Sequence, residues 1–198
     1  MSIKTRTLTT AATAILLLSA VPLHGAAIEI VPNSLSVPRG QTAQIAVQAT
    51  DVTDLNAFQF NLHFDPTLLA VLSVTEGSFL PGAGLTFFLP GLVDNTSGTI
   101  SFLFGTLFTL DPGASGTGVL ATVLFDTLGV GSSPIFLSGV SALDSGQSDL
   151  PVSIINGSVQ VVPEPNPGFY VVPEPNSGFY MAPFVLVLLA RYGRRFRR

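Results

Sequence analysis

The sequence predicts an all-β protein, a two-sheet sandwich or jelly roll, and three observations lead to that prediction. Apolar and polar residues alternate with a period of two in several short segments. Turn clusters separate these segments, in keeping with the 19 Gly and 15 Pro of the chain. No long segment has the helical period. With 198 residues, 47% of them hydrophobic and 10% charged, the chain has room for one domain, and disorder driven by charge is excluded.

The clearest predicted strand runs from Ala57 to Phe64 and reads AFQFNLHF. The residues at positions 58, 60, 62 and 64 are apolar, and those at positions 59, 61 and 63 are polar. One face of the strand is therefore buried and the other is in contact with water, as in an antiparallel sheet. The wet face carries Gln59, Asn61 and His63, and the Asp-Pro pair that follows the strand turns the chain.

Two later segments repeat this alternation, TISFLF at 99–104 and ATVLFD at 121–126. Their core-facing residues are predicted to be Ile100, Phe102, Phe104, Ala121, Val123 and Phe125. The same alternation points Leu103 and Leu124 away from the core. Outward apolar side chains either form a partner surface or lie under a loop or a neighbouring strand, and both interpretations remain open.

Further strands are predicted from apolar runs that lie between turns. They are Ile28–Val31, Gln41–Ala49, Leu68–Val74, Ile135–Val140 and Gly157–Val161. The intervening turns are at Pro81–Gly82, Asn95–Gly98, Asp111–Gly118, Gly129–Pro134 and Asp144–Gly146. In the segment LTFFL, Phe87 and Phe88 cannot face the same side of a strand, so one of them is exposed or covered by a loop.

Residues 1–27 have the three parts of a secretory signal peptide. Two basic residues are followed by an apolar run and then by small residues that end at Ala27. The apolar run is shorter than the roughly 20 residues that span a bilayer. We therefore expect a signal helix that is removed near Ala27 when the chain is exported from the cytoplasm.

The C-terminal region contains a tandem repeat, VVPEPNPGFY at 161–170 and VVPEPNSGFY at 171–180. Prolines at this density exclude a helix or a central strand, so residues 162–180 are predicted to be an extended linker. Residues 181–198 are predicted to be a short apolar helix followed by an arginine cluster. Arginines beside an apolar segment are typical of the cytoplasmic side of a membrane.

This arrangement resembles the PEP-CTERM sorting signal of Gram-negative bacteria that make exopolysaccharide. The resemblance implies an intermediate tethered to the inner membrane by the C-terminal helix. It also implies that an exosortase-type transpeptidase then cuts the tail and passes the protein to the cell surface or extracellular matrix. The apolar stretch at 179–190 departs from the pattern, because it covers roughly 18 Å of a hydrocarbon core near 30 Å. The matching residues are Val162, Pro163, Glu164, Pro165, Val172, Pro173, Glu174, Pro175, Arg194, Arg195, Arg197 and Arg198.

The central region, about 28–161, resembles a cohesin domain. Three phrases carry the resemblance in order and spacing, FDPTLLAVLSVTEGSFL, GTISFLF and GTGVLATVLFDT. Membership of that family implies a nine-stranded jelly-roll sandwich, related in fold to carbohydrate-binding modules, that binds dockerin modules in polysaccharide-degrading complexes. It also implies polar partner contacts on the strand before the FDP phrase. The matching positions are Ala57 and Gln59, where Asn and Asp are more usual.

The central region is also acidic. Ten carboxylates lie between positions 29 and 149, against the single basic residue Arg39, for a formal charge of −9. Such a surface repels phosphate groups, whose neutralisation supplies most of the affinity for nucleic acids. Nucleic acid is therefore excluded as a partner.

No catalytic, metal or cofactor site is predicted. The chain has no Cys, and His63 is the only His after removal of the signal peptide, so a zinc site lacks ligands. There is no G-x-S-x-G elbow and no EF-hand spacing. Most carboxylates lie beside turn residues, where Asp caps the backbone, rather than in an evident glycosidase pair. The protein is predicted not to be an enzyme.

Three functions remain open. The first is a module that attaches a dockerin-like or other secreted protein at the cell surface or in the exopolysaccharide matrix. The second is a carbohydrate-binding module, although the chain has no Trp and its three Tyr lie near the C-terminus. The third is a structural component of a biofilm matrix. The candidate partner-binding residues are Gln59, Asn61, His63, Leu103 and Leu124.

Overall fold

A computed structural model describes residues 25–108 and 112–164. Most of the predicted signal peptide and nearly all of the predicted linker, apolar helix and arginine cluster lie outside these residues. The predicted sorting residues outside them are Pro165, Val172, Pro173, Glu174, Pro175, Arg194, Arg195, Arg197 and Arg198. Within the two described ranges, no helix has the length and apolar character needed to cross a bilayer.

The described residues form eleven strands, so the all-β prediction is confirmed. The strands are β1 (Ala27–Val31), β2 (Ser34–Pro38), β3 (Thr42–His63), β4 (Leu69–Glu76), β5 (Thr86–Leu89), β6 (Leu92–Asp94), β7 (Thr99–Leu107), β8 (Ala114–Thr127), β9 (Gly131–Asp144), β10 (Ser153–Ile155) and β11 (Gly157–Val162). The resemblance implied nine strands; two of the eleven, β6 and β10, are only three residues long.

The strands form two layers that share β3. In the first layer the order is β10, β1, β3, β8, β4. In the second layer β7 and β9 flank β3, β5 and β6 pair with the outer edge of β7, and β11 and β2 follow β9. The pairs β1–β10 and β2–β11 are parallel, and the other described pairs are antiparallel.

The long strand β3 passes from one layer to the other. Residues 42–50 pair with β1 and β8, whereas residues 57–63 pair with β7 and β9, and Leu55 pairs with both β8 and β9. At the crossing, Asp51 and Asp54 have left-handed φ angles of 51° and 62°, which Asp adopts more readily than most residues. The Asp54 carboxylate accepts hydrogen bonds from Gly113 N at 2.6 Å and Ser145 Oγ at 2.7 Å. These bonds tie the crossing to the start of β8 and the end of β9.

The apolar core lies between the layers and confirms most of the predicted alternation. Seven residues predicted to face the core are no more than 6% exposed, namely Phe58, Phe60, Leu62, Phe64, Ala121, Val123 and Phe125. Phe64 packs edge-on against Phe125, with ring centroids 5.2 Å apart, so it joins β3 to the first layer. As predicted for LTFFL, one aromatic ring is exposed, since Phe87 faces solvent while Phe88 packs against the core.

Strand β7 departs from its predicted alternation. Ile100 is buried as predicted. Phe102 then adopts a left-handed φ of 57°, and the pairing of β7 with β3 shifts by one residue at this point, opposite Asn61. A bulge of one extra residue reverses the faces of all residues that follow. The predictions for three residues were therefore wrong, since Phe102 is 51% exposed, Leu103 is fully buried and Phe104 points outward.

The folded domain extends one residue beyond the predicted boundary at each end. Ala27 begins β1 and is 5% exposed. Val162 ends β11, and its carbonyl accepts a hydrogen bond of 2.9 Å from Arg39 N. The first residue of the predicted sorting motif is therefore part of the sheet, whereas Pro163 and Glu164 follow it and are exposed.

Candidate functional site

The outer face of the second layer brings three of the predicted partner-binding residues together. Gln59, Asn61 and His63 lie on β3, between β7 and β9. Paired residues of neighbouring strands point to the same side of a sheet, so residues of the flanking strands share this surface. We call it the polar–aromatic face, and it comprises Gln59, Asn61, His63, Phe87, Leu89, Phe102, Phe104, Phe136, Ser138 and Ser141.

The polar part of this face is ordered around His63. The imidazole stacks on the exposed ring of Phe136, with centroids 4.5 Å apart and an interplanar angle of 12°. Its Nε2 lies 2.7 Å from Ser138 Oγ, which is a hydrogen-bonding distance. Stacking and hydrogen bonding together hold the ring flat on the face.

Asn61 lies between two irregularities of the sheet. Its Oδ1 accepts a hydrogen bond of 2.8 Å from Phe102 N, at the bulge of β7. Its Nδ2 lies beside Gly139 of β9, where φ is 58° and an added Cβ would be 3.2 Å from the amide nitrogen. Asn61 therefore fixes the shape of the face as well as lining it.

The aromatic part of the face lies along β5 and β7. The rings of Phe102 and Phe104 stack with centroids 6.1 Å apart and an interplanar angle of 18°. Leu89 pairs with Phe104, and Phe87 contacts Phe108 edge-on at 6.5 Å. Exposed apolar residues grouped in this way are typical of an interaction surface.

An apolar cavity of about 370 Å³ adjoins these rings, and we call it the edge notch. It is lined by Leu89, Pro90, Gly91, Leu92, Ser101 and Phe102. Strands β5 and β6 lie end to end along β7, and Pro90 and Gly91 interrupt them beside the Phe102 bulge. Gly91 has a φ of 79°, and a Cβ there would lie 2.7 Å from Ser101 O. The notch thus depends on a glycine at this position.

The strand segments of the polar–aromatic face carry no Asp, Glu, Lys or Arg, as residues 57–63, 86–93, 99–107 and 136–143 show. Carboxylates lie at its margin, with Asp94 at the end of β6 and Asp144 at the end of β9. Hydrogen bonds from Ser97 Oγ and from the backbone N–H of Thr96 and Ser97 lower the pKa of Asp94. The centre of the face therefore carries no carboxylate, ammonium or guanidinium group, and the carboxylate of Asp94 at its margin is ionised at neutral pH.

Two predicted partner-binding residues do not belong to this face. Leu103 is fully buried in the core, so it cannot contact a partner. Leu124 is half-buried on β8 of the first layer, where it pairs with Gln44 of β3 and Ser73 of β4. Alternation correctly predicted that Leu124 points away from the core. The structure, however, places Leu124 in the first layer, whereas Gln59 lies in the second.

Sequence reasoning missed the aromatic half of the face. It assigned Phe102 and Phe104 to the core and left the edge strand at 92–94 unassigned. One signal was present, because FLF at 102–104 puts three apolar residues in succession, which strict alternation cannot accommodate. Together with the Pro90–Gly91 pair across the edge, that run is compatible with a bulge.

No three His, Asp or Glu side chains within 25–108 and 112–164 are grouped so that they could hold a metal ion. The chemistry that the face supports is stacking, apolar contact and hydrogen bonding by neutral groups.

Comparison with known proteins identifies the family. A protein-family model of the cohesin domain matches residues 28–161, about two thirds of the chain. The chain belongs to the cohesin family. The domain is also similar in fold to a non-cellulosomal cohesin from the hyperthermophilic archaeon Archaeoglobus fulgidus, with a TM-score of 0.57, 22% identity and coverage of 70% of this chain and 92% of that one.

Two further similar proteins are informative. The sixth cohesin of scaffoldin B from Acetivibrio cellulolyticus, solved in complex with a Cel5 dockerin mutant, has a TM-score of 0.58 and 21% identity, and covers 70% of this chain and 100% of that one. Cellulose-binding protein A of Clostridium cellulovorans is 28% identical over 133 residues, which are 65% of this chain. The chain spans only 7% of the length of that curated relative.

In this cohesin, the two positions that the family resemblance assigns to partner contacts are Gln59, which belongs to the polar–aromatic face, and Ala57, which precedes it by two residues on β3. Ala57 is 8% exposed and offers no hydrogen-bonding side chain. Gln59 is half-buried, and it pairs with Phe104 on one side and Ser141 on the other. Of the two positions, only Gln59 can donate or accept a side-chain hydrogen bond.

Proposed function

We propose that this cohesin is a non-catalytic protein-binding module and that the polar–aromatic face is its partner-binding surface. The observation that carries the proposal is the combination of exposed aromatic rings with hydrogen-bonding side chains on one sheet face that has no Asp, Glu, Lys or Arg. Centres of protein interfaces are enriched in aromatic residues and depleted in charged ones. A few buried aromatic anchors usually supply most of the binding energy.

A dockerin-like module is the partner that the relatives favour, since a similar cohesin was solved with a dockerin. In this chain the polar contacts would come from Gln59 and from Ser138 and Ser141 of β9. The remaining contacts would be apolar, through the rings of β7. Other secreted proteins of the host with a similar surface are alternatives within the same function.

Calorimetric titration of the intact chain with the dockerin modules of its host, and affinity capture from the host's secreted fraction, test this proposal. We expect binding that Gln59→Arg weakens about tenfold or more, because the charge is buried on an otherwise neutral contact. Leu72→Arg, at a position 55% exposed on β4 of the first layer, is the matched control. Equal binding by Gln59→Arg would exclude this face, and the absence of any bound secreted protein would contradict the function.

A polysaccharide is the second candidate partner, and the stacked, outward rings of Phe102 and Phe104 favour it. Flat aromatic surfaces can pack against the apolar faces of sugar rings. Affinity electrophoresis through gels that contain the host's exopolysaccharide tests this candidate. Retardation that is lost in Phe102→Asn would support it, and migration equal to that in a plain gel would exclude it.

We further propose that the protein is exported, held at the inner membrane by its C-terminal segment and then transferred to the cell surface or the extracellular matrix by an exosortase-type transpeptidase. The supporting features are those of the sequence: a signal-like N-terminus, a duplicated VPEP motif and a terminal arginine cluster. Location in the extracellular matrix is compatible with a module that attaches other proteins.

A further inference from the structure

Phe102 has a backbone conformation that is unusual for its side chain. Its φ of 57° lies in the left-handed region, which bulky residues rarely adopt because Cβ then crowds the following carbonyl oxygen. The same bulge leaves the ring 51% exposed, although alternation along β7 would bury it. A strained backbone that presents a side chain to solvent is more frequent at binding sites than elsewhere.

The bulge and the edge notch are preformed by local contacts. The hydrogen bond from Phe102 N to Asn61 fixes one side of β7. On the other side, Gly91 approaches Ser101 so closely that a Cβ would be in steric conflict. Leu92 is 74% exposed and stands at the mouth of the notch. The result is a concave apolar site whose shape does not depend on an occupant.

The charge of the surrounding domain indicates which kind of molecule can bind in the edge notch. The residues that line the notch carry no charged side chain, but the domain around them has a formal charge of −9 between positions 29 and 149. Asp94 lies two residues from Leu92, and hydrogen bonds lower its pKa, so it is ionised at neutral pH. This field attracts a cationic partner and repels an acidic one. A second copy of the domain is disfavoured, because two equally acidic domains repel each other.

We infer that the edge notch is an anchoring subsite of the polar–aromatic face, and that it takes an aliphatic or aromatic side chain from a polypeptide in which lysines or arginines flank that side chain. The inference rests on the proposed function. It adds the position of the anchor, at the β5–β7 edge, and the chemistry of the partner segment.

A random-peptide library displayed on phage, selected on the intact chain in mild detergent, tests the inference even while the natural partner is unidentified. Phe102→Asn removes the ring but keeps a residue that tolerates the left-handed backbone. Leu92→Asn is a second variant at the mouth of the notch. Leu72→Asn is the control, because it makes the same change at an exposed apolar position in the first layer.

We expect enriched peptides that share one apolar residue with basic neighbours. Their affinity should fall about tenfold or more in Phe102→Asn and in Leu92→Asn, and should be unchanged in Leu72→Asn. It should also fall about tenfold when NaCl is raised from about 0.05 M to about 0.5 M, because salt screens the acidic field. The melting temperature of Phe102→Asn should stay within about 3 °C of the wild-type value, whereas a purely structural ring would lower it further.

Three results would overturn the inference: no enrichment, peptides with acidic flanks, or peptides that bind Phe102→Asn as tightly as the wild type. None of these results decides the proposed function. That function is tested by whether the chain captures a secreted partner and by whether Gln59→Arg weakens the binding of that partner. Partner binding that is lost in Gln59→Arg but unaffected by Phe102→Asn would contradict the anchoring subsite alone.

Discussion

Three polar side chains hydrogen-bond to backbone groups at places where the sheets are irregular or end. Asp54 binds Gly113 N and Ser145 at the crossing of β3, and Asn61 binds Phe102 N at the bulge of β7. Asn95 binds both backbone groups of one residue in β4. Backbone N–H and C=O groups in a fold need partners, so we expect these residues to matter more for stability than their positions near the surface suggest.

Asn61→Ala should lower the free energy of unfolding by about 1 kcal/mol, because Phe102 N loses its acceptor at the bulge. Urea unfolding of the intact chain measures the change. Asn61→Asp is the matched control, since a carboxylate oxygen can accept the same hydrogen bond. If Asn61→Ala and the wild type unfolded at the same urea concentration, the side chain would not be what holds the bulge.

Acid should destabilise the domain through three aspartates. Hydrogen bonds lower the pKa of Asp54, Asp65 and Asp94 below the ordinary 3.8, chiefly from the hydroxyls of Ser145, Thr67 and Ser97. A carboxyl group with a lower pKa in the folded state stabilises that state fully above pH 3.8. This contribution is lost as the pH falls from there through the folded-state pKa. The urea concentration at the unfolding midpoint should therefore decrease as the pH falls below about 4, and it should decrease less steeply in Asp54→Asn. An equal dependence of the midpoint on pH in both proteins would refute the role of Asp54.

At the scale of elements, sequence reasoning located the strands whose two faces differ in polarity. Ala57–Phe64 and the segment at 121–125 are such strands, and both have the predicted buried residues. β2 and β10 were missed because they are only five and three residues long; β2 does alternate in burial, whereas all three residues of β10 are exposed. The bulge in β7 was also missed, because the FLF run is only compatible with a bulge, whereas the left-handed φ at Phe102 depends on the partner strand and on Asn61.

At Val71, the free edge of β4 is covered by a side chain. Asn95 Oδ1 accepts a hydrogen bond from Val71 N at 2.8 Å, and Asn95 Nδ2 donates one to Val71 O at 3.2 Å. The amide thus takes the place of a neighbouring strand, and uncovered edges promote pairing between molecules. Asn95→Ala should cost about 1–2 kcal/mol of stability and cause self-association that rises with concentration.

Urea unfolding and size-exclusion chromatography at several concentrations test this prediction. Asn33→Ala, at an exposed asparagine between β1 and β2, is the control and should behave as the wild type in both measurements. An Asn95→Ala protein that stays monomeric with an unchanged urea midpoint would show that the edge is protected by other means.

For the whole molecule, the candidate site could be predicted only in part. Alternation within one strand was enough to place Gln59, Asn61 and His63 on a shared face. It could not show which strands flank β3, because β7 and β9 are distant in sequence, so Phe136 and the serines of β9 were not found. Nor could it show that β3 crosses between layers, which separates Leu124 from the other predicted residues.

The first VPEP motif begins inside the folded domain. Val162 ends β11, pairs with Pro38 of β2 and accepts a hydrogen bond from Arg39 N, and a processing enzyme needs accessible backbone that can be drawn into its active site. We therefore predict that the second motif, Val172–Pro175, directs processing.

In an exopolysaccharide-producing Gram-negative host, replacing all four residues of the second motif with Gly and Ser should leave the C-terminal arginines on the cell-associated protein. Replacing residues 163–165 should still permit removal of these arginines. Intact-mass spectrometry of cell-associated and released protein distinguishes these outcomes, and loss of processing after replacement of 163–165 alone would reverse the assignment.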